Sequence, residues 1–390
     1  MSMSYPPVLQ HAFRICFLLA AIWAAAAVPL WLLAYTGIIE LAGPYGAINW
    51  HAHELVFGYA ALVVCGFLFT AIPNWTGRLP VSGWPLASLV LIWLAGRVAM
   101  MQAVHLGPML AAAIDVAFLA AVLAVAGREI VAGKNWRNLR VLVLVGWLLL
   151  GNVAFHAAAI GGHAIDLSVR GSIGALIALI TLVGGRLTPS FTRNWLVKQS
   201  ATQLPAPFGT LDAVAIGSGV AALLSWVIMP DGAPTAALAA LAAILLAWRL
   251  ARWRGWATFA EPLLVILHIG YAFVPLGFAL LAVNALRPDL IPNNAVVHAW
   301  TAGAIGTMTL AVMTRATLGH TGQALTATPA TVAIYVAIVL AAALRILAAF
   351  TVEWHLALVD AAGAAWTAAF LIFVGSYGPL LCRARRAKVR

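Results

Sequence analysis

The chain has 390 residues, of which 64% are hydrophobic and only 8% are charged, and its formal net charge is +11. Soluble domains have about 45–50% apolar and about 25% charged residues, so this composition excludes an ordinary soluble fold. The basic residues lie mostly between apolar stretches, which argues against nucleic-acid binding as the reason for the positive charge.

Twelve apolar stretches follow one another along the chain. A membrane-spanning helix needs about 20 mostly apolar residues, and most of the stretches reach that length. The sequence therefore predicts an all-α polytopic membrane protein with a single transmembrane domain over residues 1–390. The predicted helices lie near 12–38, 52–73, 84–104, 107–127, 138–160, 168–188, 212–229, 232–251, 258–285, 294–314, 329–350 and 357–381.

The distribution of lysine and arginine predicts how the chain is oriented. If the N-terminus is cytoplasmic, 18 of the 22 basic residues fall on the cytoplasmic side and only Arg170 and Arg287 fall outside. This asymmetry is the positive-inside pattern, and it predicts that both termini are cytoplasmic. The C-terminal segment RARRAKVR (383–390) is expected to anchor the topology and to contact anionic lipid.

Two arginines fall within predicted helices, Arg97 in the third and Arg345 in the eleventh, both in the outer third. Intramembrane charge usually marks a functional site. Two interpretations stay open: the side chains extend to the nearer headgroups, or their guanidinium groups bind a buried carboxylate such as a cofactor propionate.

Histidines also occur within the predicted helices. With the orientation above, four of them are expected to approach the outer half of the bundle together with the two arginines, and His268 is expected in the middle of the ninth helix. Imidazoles at this depth predict a metal or haem site, since imidazole is a common ligand of iron and copper. The histidines are His51, His53, His156, His268 and His298.

The stretch WHAHE (50–54) opens the second predicted helix. In an α-helix, positions two apart differ by about 200°, so His51 and His53 would face nearly opposite ways and serve two centres. Glu54 would share a face with His51 and could orient its ring. If residues 50–52 are instead still loop, the two histidines could converge.

Predicted helices 2, 6 and 10 each end with an arginine near a Thr/Gly/Pro break: Arg78, Arg186 and Arg315. The spacing of four helices suggests three four-helix units around a pseudo-threefold axis. Haem–copper oxidases have a comparable twelve-helix plan, with a haem between helices 2 and 10, although helices 6 to 8 here lack histidine. Alternatively, these arginines only anchor the topology.

Several long motifs resemble the NnrS family of bacterial membrane proteins over nearly the whole chain. The N-terminal HAFRICFLLAA and Gln323 depart from the family pattern, but neither removes a candidate ligand. The matching segments are WHAHE with the following FGYAALVVCGFLFTAIPNWTGRLPVSGWPL, NWRNL (135–139), GGRLTPSFTRN (184–194), LHIGYAFVPLGFALLA (267–282) and HAWTAGAIGTMTLAVMTRATLGHTG (298–322).

The resemblance implies a haem- and copper-containing protein of the bacterial inner membrane, associated with denitrification and nitric oxide defence. The expected cofactors are one or two haem b groups, with copper or non-haem iron as a second metal. From the residues and the resemblance together, we expect His51, His53, His268 and His298 as metal ligands. His156, Arg97 and Arg345 are further cofactor-binding candidates. The resemblance gives functional weight to Arg78, Arg186, Arg193, Arg315 and His320.

These expectations lead to a functional hypothesis. The protein would reduce nitric oxide to nitrous oxide at a buried haem or metal centre, with Glu54 carrying protons or binding metal and a membrane quinol supplying electrons. Two alternatives are a haem or copper transporter or chaperone and a non-catalytic nitric oxide sensor.

Overall fold

The computed structural model describes residues 5–41 and 43–384, and over these residues it is built from helices joined by short connections. Twelve of the described helices are long and apolar enough to span a membrane, which confirms the all-α polytopic prediction. They are α1 (Ala12–Tyr35), α2 (Gly43–Thr76), α3 (Trp84–Met101), α4 (Pro108–Ala132), α5 (Trp136–Ile160), α6 (Asp166–Lys198), α7 (Thr210–Ile228), α8 (Ala233–Ala251), α9 (Pro262–Asn284), α10 (Asn293–Thr321), α11 (Pro329–Phe350) and α12 (His355–Cys382).

Three helices are clearly longer than hydropathy predicted. These are α2, α6 and α10, with 34, 33 and 29 residues. Their additional turns carry polar residues, so a hydropathy window ends before the helix does. The predicted connection 189–211 is shortened for the same reason, because α6 continues to Lys198.

The ends of several helices follow from local sequence. Proline occupies the first turn of α3, α4, α8, α9 and α11, where a missing N–H removes no helical hydrogen bond. Thr328 caps α11 by accepting a hydrogen bond from the Thr331 N–H. Gly77 ends α2 in the left-handed conformation, with φ of 69°.

The same three long helices each contain a π-helical segment: Glu54–Ala60 in α2, Ile180–Gly184 in α6 and Ala299–Gly306 in α10. The wider π turn interrupts the regular i→i+4 bonding, and such segments are frequent at functional sites. Side chains from neighbouring helices compensate in two cases. The Trp93 indole donates to the Gly58 carbonyl at 2.9 Å, and Arg249 donates to the Thr181 carbonyl at 3.0 Å.

The chain divides into two compact units. Unit 1 takes the described residues of 1–172, 316–324 and 370–390, and in it α1 packs on α2, α2 and α3 on α4, and α4 on α5. Unit 2 takes 173–315 and 325–369, and in it α7 packs on α8, α8 on α9, and α9 on α6 and α10. The pseudo-threefold arrangement and the single domain stay predictions. Residues 385–390 of the basic tail lie outside the described residues.

Candidate functional site: a buried histidine–carboxylate cluster in unit 1

Three side chains from three helices converge in unit 1: His53 of α2, Asp115 of α4 and His156 of α5. One ligand atom of each lies within 4.8 Å of the other two, and the residues are 0%, 2% and 3% exposed. Nε2 of His53 and Nε2 of His156 lie 3.0 and 3.1 Å from the same oxygen, Oδ2 of Asp115. Asn152 donates to that oxygen at 2.8 Å. Two imidazoles and a carboxylate are thus held at one point.

Glu54 and Arg97 close the other side of this cluster. One Glu54 carboxylate oxygen lies 3.0 Å from Nδ1 of His53, and the other accepts from Nη1 of Arg97 at 2.5 Å. The second arm of the Arg97 guanidinium donates to Oδ1 of Asp115. Arg97 therefore binds buried carboxylates, one of its two predicted roles, but they belong to the chain itself.

The net charge of the cluster favours binding of a cation. Glu54 and Asp115 contribute two negative charges and Arg97 one positive charge, so one negative charge remains. Because a buried charge is costly unless it is compensated, a proton or a metal ion at the imidazoles would neutralise the cluster. The arrangement is therefore suited to binding one additional positive charge.

His156 connects the cluster to the first turn of α2. Its Nδ1 lies 2.9 Å from the hydroxyl of Tyr45, a buried residue at the start of α2. Hydrogen bonding at the second ring nitrogen orients a histidine and selects its tautomer, as metal-binding histidines require. Tyr45 thus acts as a positioning residue for His156.

Gly58 allows the close approach of α2 to the charged groups. A Cβ atom at this position would lie 2.5 Å from Nη1 of Arg97 and 2.9 Å from Oε2 of Glu54. We expect Gly58→Ala to lower the free energy of unfolding by about 1–3 kcal/mol, because the ion pair must move apart. Chemical unfolding in detergent measures this change. Gly127→Ala in α4 is the matched control, since its Cβ would meet no atom within 4 Å; an equal loss in both variants would contradict the explanation.

His51 and His53 point to different helices, as their angular separation predicted. The His51 ring stacks on the ring of Trp31 in α1, with centroids 4.0 Å apart, whereas His53 contacts α4 and α5. The expected pairing of Glu54 with His51 is wrong, because the Glu54 carboxylate binds His53. The other oxygen of the same carboxylate accepts from Arg97 of α3, so a contact with a neighbouring helix and not the helical angle alone determines the partner of Glu54.

His268, expected in the middle of the ninth helix, lies near the start of α9. Its Nε2 lies 2.9 Å from the hydroxyl of Thr192, and its Nδ1 faces Gly255 in the connection after α8. That connection also carries Arg252 and Arg254, which the charge pattern assigns to the cytoplasmic side. Helix α9 begins only at Pro262, so His268 lies in its second turn.

Unit 2 contains a separate buried network around Arg249 of α8, which is 0% exposed. Its guanidinium donates to Asp212 Oδ1 at 3.0 Å, to the Tyr271 hydroxyl at 2.7 Å and to the carbonyls of Thr181 and Gly185. The Thr181 carbonyl lies within the π segment of α6 and the Gly185 carbonyl directly after it, so Arg249 stabilises an irregular stretch of helix.

The other candidate residues have contacts of their own or exposed side chains. Nδ1 of His298 donates to the Asn294 carbonyl at 2.8 Å, and Arg345 is half-buried near the end of α11. Of the motif residues, Arg78 binds Glu129 at 2.5 Å and Arg315 lies over the Phe191 ring at 4.2 Å. Arg186, Arg193 and His320 are exposed, and the His320 ring is 5.2 Å from that of Phe13.

Sequence reasoning missed Asp115, Asn152 and Tyr45, and in unit 2 it took Arg249 only as a topology anchor. The signal for Asp115 was present: an acidic residue in the middle of the apolar run AAAIDVAFLAAV. An ionisable residue within a span marks a functional site as much as an arginine does. Asn152 and Tyr45 carry no comparable signal, because uncharged polar residues are common in membrane helices.

Comparison with curated proteins finds no match to the chain. The family model described as NnrS protein matches residues 7–385, nearly the whole chain. The motifs around the cluster, WHAHE and the segment that follows it, lie within the matched region. The chain therefore belongs to the NnrS protein family.

Proposed function

We propose that this protein detoxifies nitric oxide in the bacterial inner membrane at a metal ion bound by His53, Asp115 and His156. The observation that carries the proposal is the convergence of two imidazoles and one carboxylate within 4.8 Å in a fully buried cage. Two histidines and one carboxylate with open positions are the ligand set of non-haem ferrous iron. Membership of the NnrS family fits a role in the nitric oxide response.

The distances between the ligand atoms suit an ion of this kind. Ligands bound at about 2.1 Å and separated by about 90° lie about 3.0 Å apart. The nitrogen–oxygen separations of 3.0 and 3.1 Å agree with that value. Glu54 and Asn152 would orient His53 and Asp115, and Tyr45 would orient His156, as partners of metal ligands usually do.

The chain's own residues also account for access and selectivity. Nitric oxide is small and uncharged, so it reaches a buried site through lipid without a polar channel. Burial of the cage excludes larger ligands, while Glu54 lies 3.0 Å from the His53 ring and could carry protons to the reacting gas. The Arg97 ion pairs close the cage, so a metal ion could leave only if they broke. This favours a permanently bound metal over a metal that the protein transports.

Haem b, which the family resemblance implies, fits some histidines better than others. His298 would be suited to holding the haem iron, because its Nδ1 donates to the Asn294 carbonyl and the ring is oriented as in metal-binding histidines. His268 does not fit, since Nε2 contacts Thr192 and Nδ1 faces the backbone of Gly255. A bound haem would supply electron transfer and a second site for nitric oxide. His51, Arg345 and copper stay open as further parts of such a centre.

The proposal is tested first by metal content. We expect purified protein to contain iron, and His53→Ala or His156→Ala to lower the iron content at least about 10-fold, because each removes one of three ligands. Inductively coupled plasma mass spectrometry measures the metal, and a pyridine haemochrome spectrum separates haem iron from non-haem iron. His163→Ala, an exposed histidine outside the cluster, is the control.

Activity is tested under anaerobic conditions with nitric oxide and a quinol, with nitrous oxide measured by gas chromatography. Wild-type protein should produce nitrous oxide, and the two ligand variants should not. If iron-loaded wild-type protein produces none, the reductase function is wrong. If both variants keep their iron, the ligand assignment is wrong.

A further inference from the structure

The side chain of Asn152 in α5 lies within the histidine–carboxylate cluster of unit 1. The residue is 1% exposed and lies four positions before His156, so both side chains share one face of the helix. The two ends of its amide contact two of the proposed metal ligands. Nδ2 donates to Oδ2 of Asp115 at 2.8 Å, and Oδ1 lies 3.2 Å from Nε2 of His53. The amide therefore adjoins the point at which the ligand atoms converge.

The Asp115 carboxylate determines which way this amide faces. An ionised carboxylate accepts hydrogen bonds and donates none, so the amide atom beside Oδ2 of Asp115 must be the nitrogen. The opposite orientation would bring two oxygen atoms to 2.8 Å with no proton between them. Oδ1 of Asn152 consequently faces Nε2 of His53.

A metal ion at the cluster would change the partner that this oxygen requires. In the metal-free cluster, Nε2 of His53 can donate a proton to Oδ1 of Asn152 at 3.2 Å. A histidine nitrogen that binds a metal carries no proton, so this donor is lost when the ion binds. Within the described part of the chain, no other group forms a hydrogen bond with Oδ1. Because a buried oxygen without a partner is unfavourable, coordination of the ion by Oδ1 would replace the lost hydrogen bond.

The distances agree with coordination by this oxygen. Adjacent ligands bound at about 2.1 Å and separated by about 90° lie about 3.0 Å apart. The separation of 3.2 Å between Oδ1 of Asn152 and Nε2 of His53 is close to that value. Coordination through the amide oxygen also leaves the amide N–H free to donate to Asp115, so both contacts are compatible with a bound ion.

We propose that Asn152 is a fourth protein ligand of the metal ion, bound through Oδ1 beside the two histidines and the aspartate. Four protein ligands on a six-coordinate ion leave two positions, enough for two diatomic molecules. An amide oxygen also favours ferrous or manganous ions over Cu(I), which prefers sulfur ligands. The inference rests on the proposed function, because the other three ligands must form a metal site for Asn152 to join it.

The ligand role is tested by anaerobic titration of metal-free protein in phospholipid nanodiscs with ferrous iron. Asn152→Leu keeps the approximate size of the side chain and removes both amide atoms, and we expect iron binding to weaken at least about 10-fold. Asn152→Asp keeps an oxygen at the ligand position, so it should bind iron at least as tightly as wild type. Asn284→Leu changes a buried asparagine of unit 2 and is the control, with affinity as in wild type.

The aspartate variant separates a ligand from a residue that only positions Asp115. Aspartate cannot donate the hydrogen bond that Nδ2 of Asn152 gives to Asp115. If Asn152 acted through that bond alone, Asn152→Asp would bring two carboxylates together and would bind iron more weakly than Asn152→Leu. That order of affinities would overturn the ligand role.

A second measurement needs no substitution in the protein. Wild-type protein is labelled with asparagine that carries ¹³C at the side-chain carbonyl, loaded with Mn²⁺ in place of ferrous iron, and studied by electron–nuclear double resonance. Coordination predicts an isotropic ¹³C coupling, which is transmitted through bonds and should disappear in Asn152→Leu. Absence of this coupling would overturn the fourth ligand and leave the site of the other three standing. Wild-type protein that binds neither ion would overturn both the fourth ligand and the proposed function.

Discussion

Replacing Asp115 with asparagine is expected to empty the metal site and to lower the free energy of unfolding by about 3 kcal/mol. The Asp115 carboxylate contacts both imidazoles and one arm of Arg97, so the substitution removes a proposed metal ligand and leaves the buried guanidinium with Glu54 as its one carboxylate partner. Asparagine has nearly the same shape, and the loss therefore reports charge and not packing.

Metal analysis and reversible unfolding in mixed detergent micelles measure the two effects on the same preparation. The control is Asp289→Asn, because Asp289 also pairs with an arginine, Arg287, but at an exposed position. We expect the control to keep its metal and its stability. An Asp115→Asn protein with wild-type iron content would show that Asp115 is not a ligand, whatever its stability.

The second large effect is expected in unit 2, from Arg249→Met. This change should lower the free energy of unfolding by about 3–5 kcal/mol, because a buried ion pair loses one partner. Of its two arginine partners Asp212 would keep only Arg252, and the carbonyls of Thr181 and Gly185, within and directly after the π segment, would lose their donor. Methionine preserves most of the apolar stem, so cavity formation contributes little.

The same unfolding measurement is compared with Arg252→Met, which removes the other arginine of Asp212. The Arg252 side chain is 25% exposed, so we expect a loss of about 1 kcal/mol or less. Iron content should be unchanged in both variants, since neither residue belongs to the cluster. Equal losses in the two variants would contradict the central role of Arg249 in unit 2.

The linear sequence was sufficient for the transmembrane architecture. Twelve apolar runs predict twelve spans because the cost of exposing backbone and polar groups to lipid applies locally, residue by residue. The same reasoning identified Arg97 and His53 as polar groups whose burial in the membrane costs free energy unless they have partners. Family membership also followed from long continuous motifs, since WHAHE and its neighbours are readable without any contact in space.

Sequence alone did not reveal which partners these groups have. Asp115, Asn152 and Tyr45 reach the histidines from α4, α5 and the start of α2, and only helix packing decides that they meet. The Glu54 carboxylate, which binds His53, is also held by Arg97 of α3, and α2 continues from Glu54 as a π segment over Glu54–Ala60. That segment is supported by the Trp93 side chain of α3, a contact between residues 35 positions apart.

The sequence by itself therefore determined the membrane spans, the predicted orientation and the family, because these depend on local hydropathy, charge and continuous motifs. Only the tertiary structure decided the composition of the cluster and the locations of His268 and Arg249. The physical reason is that a buried charge is compensated by whichever groups packing brings within hydrogen-bonding distance, and those groups lie on other helices.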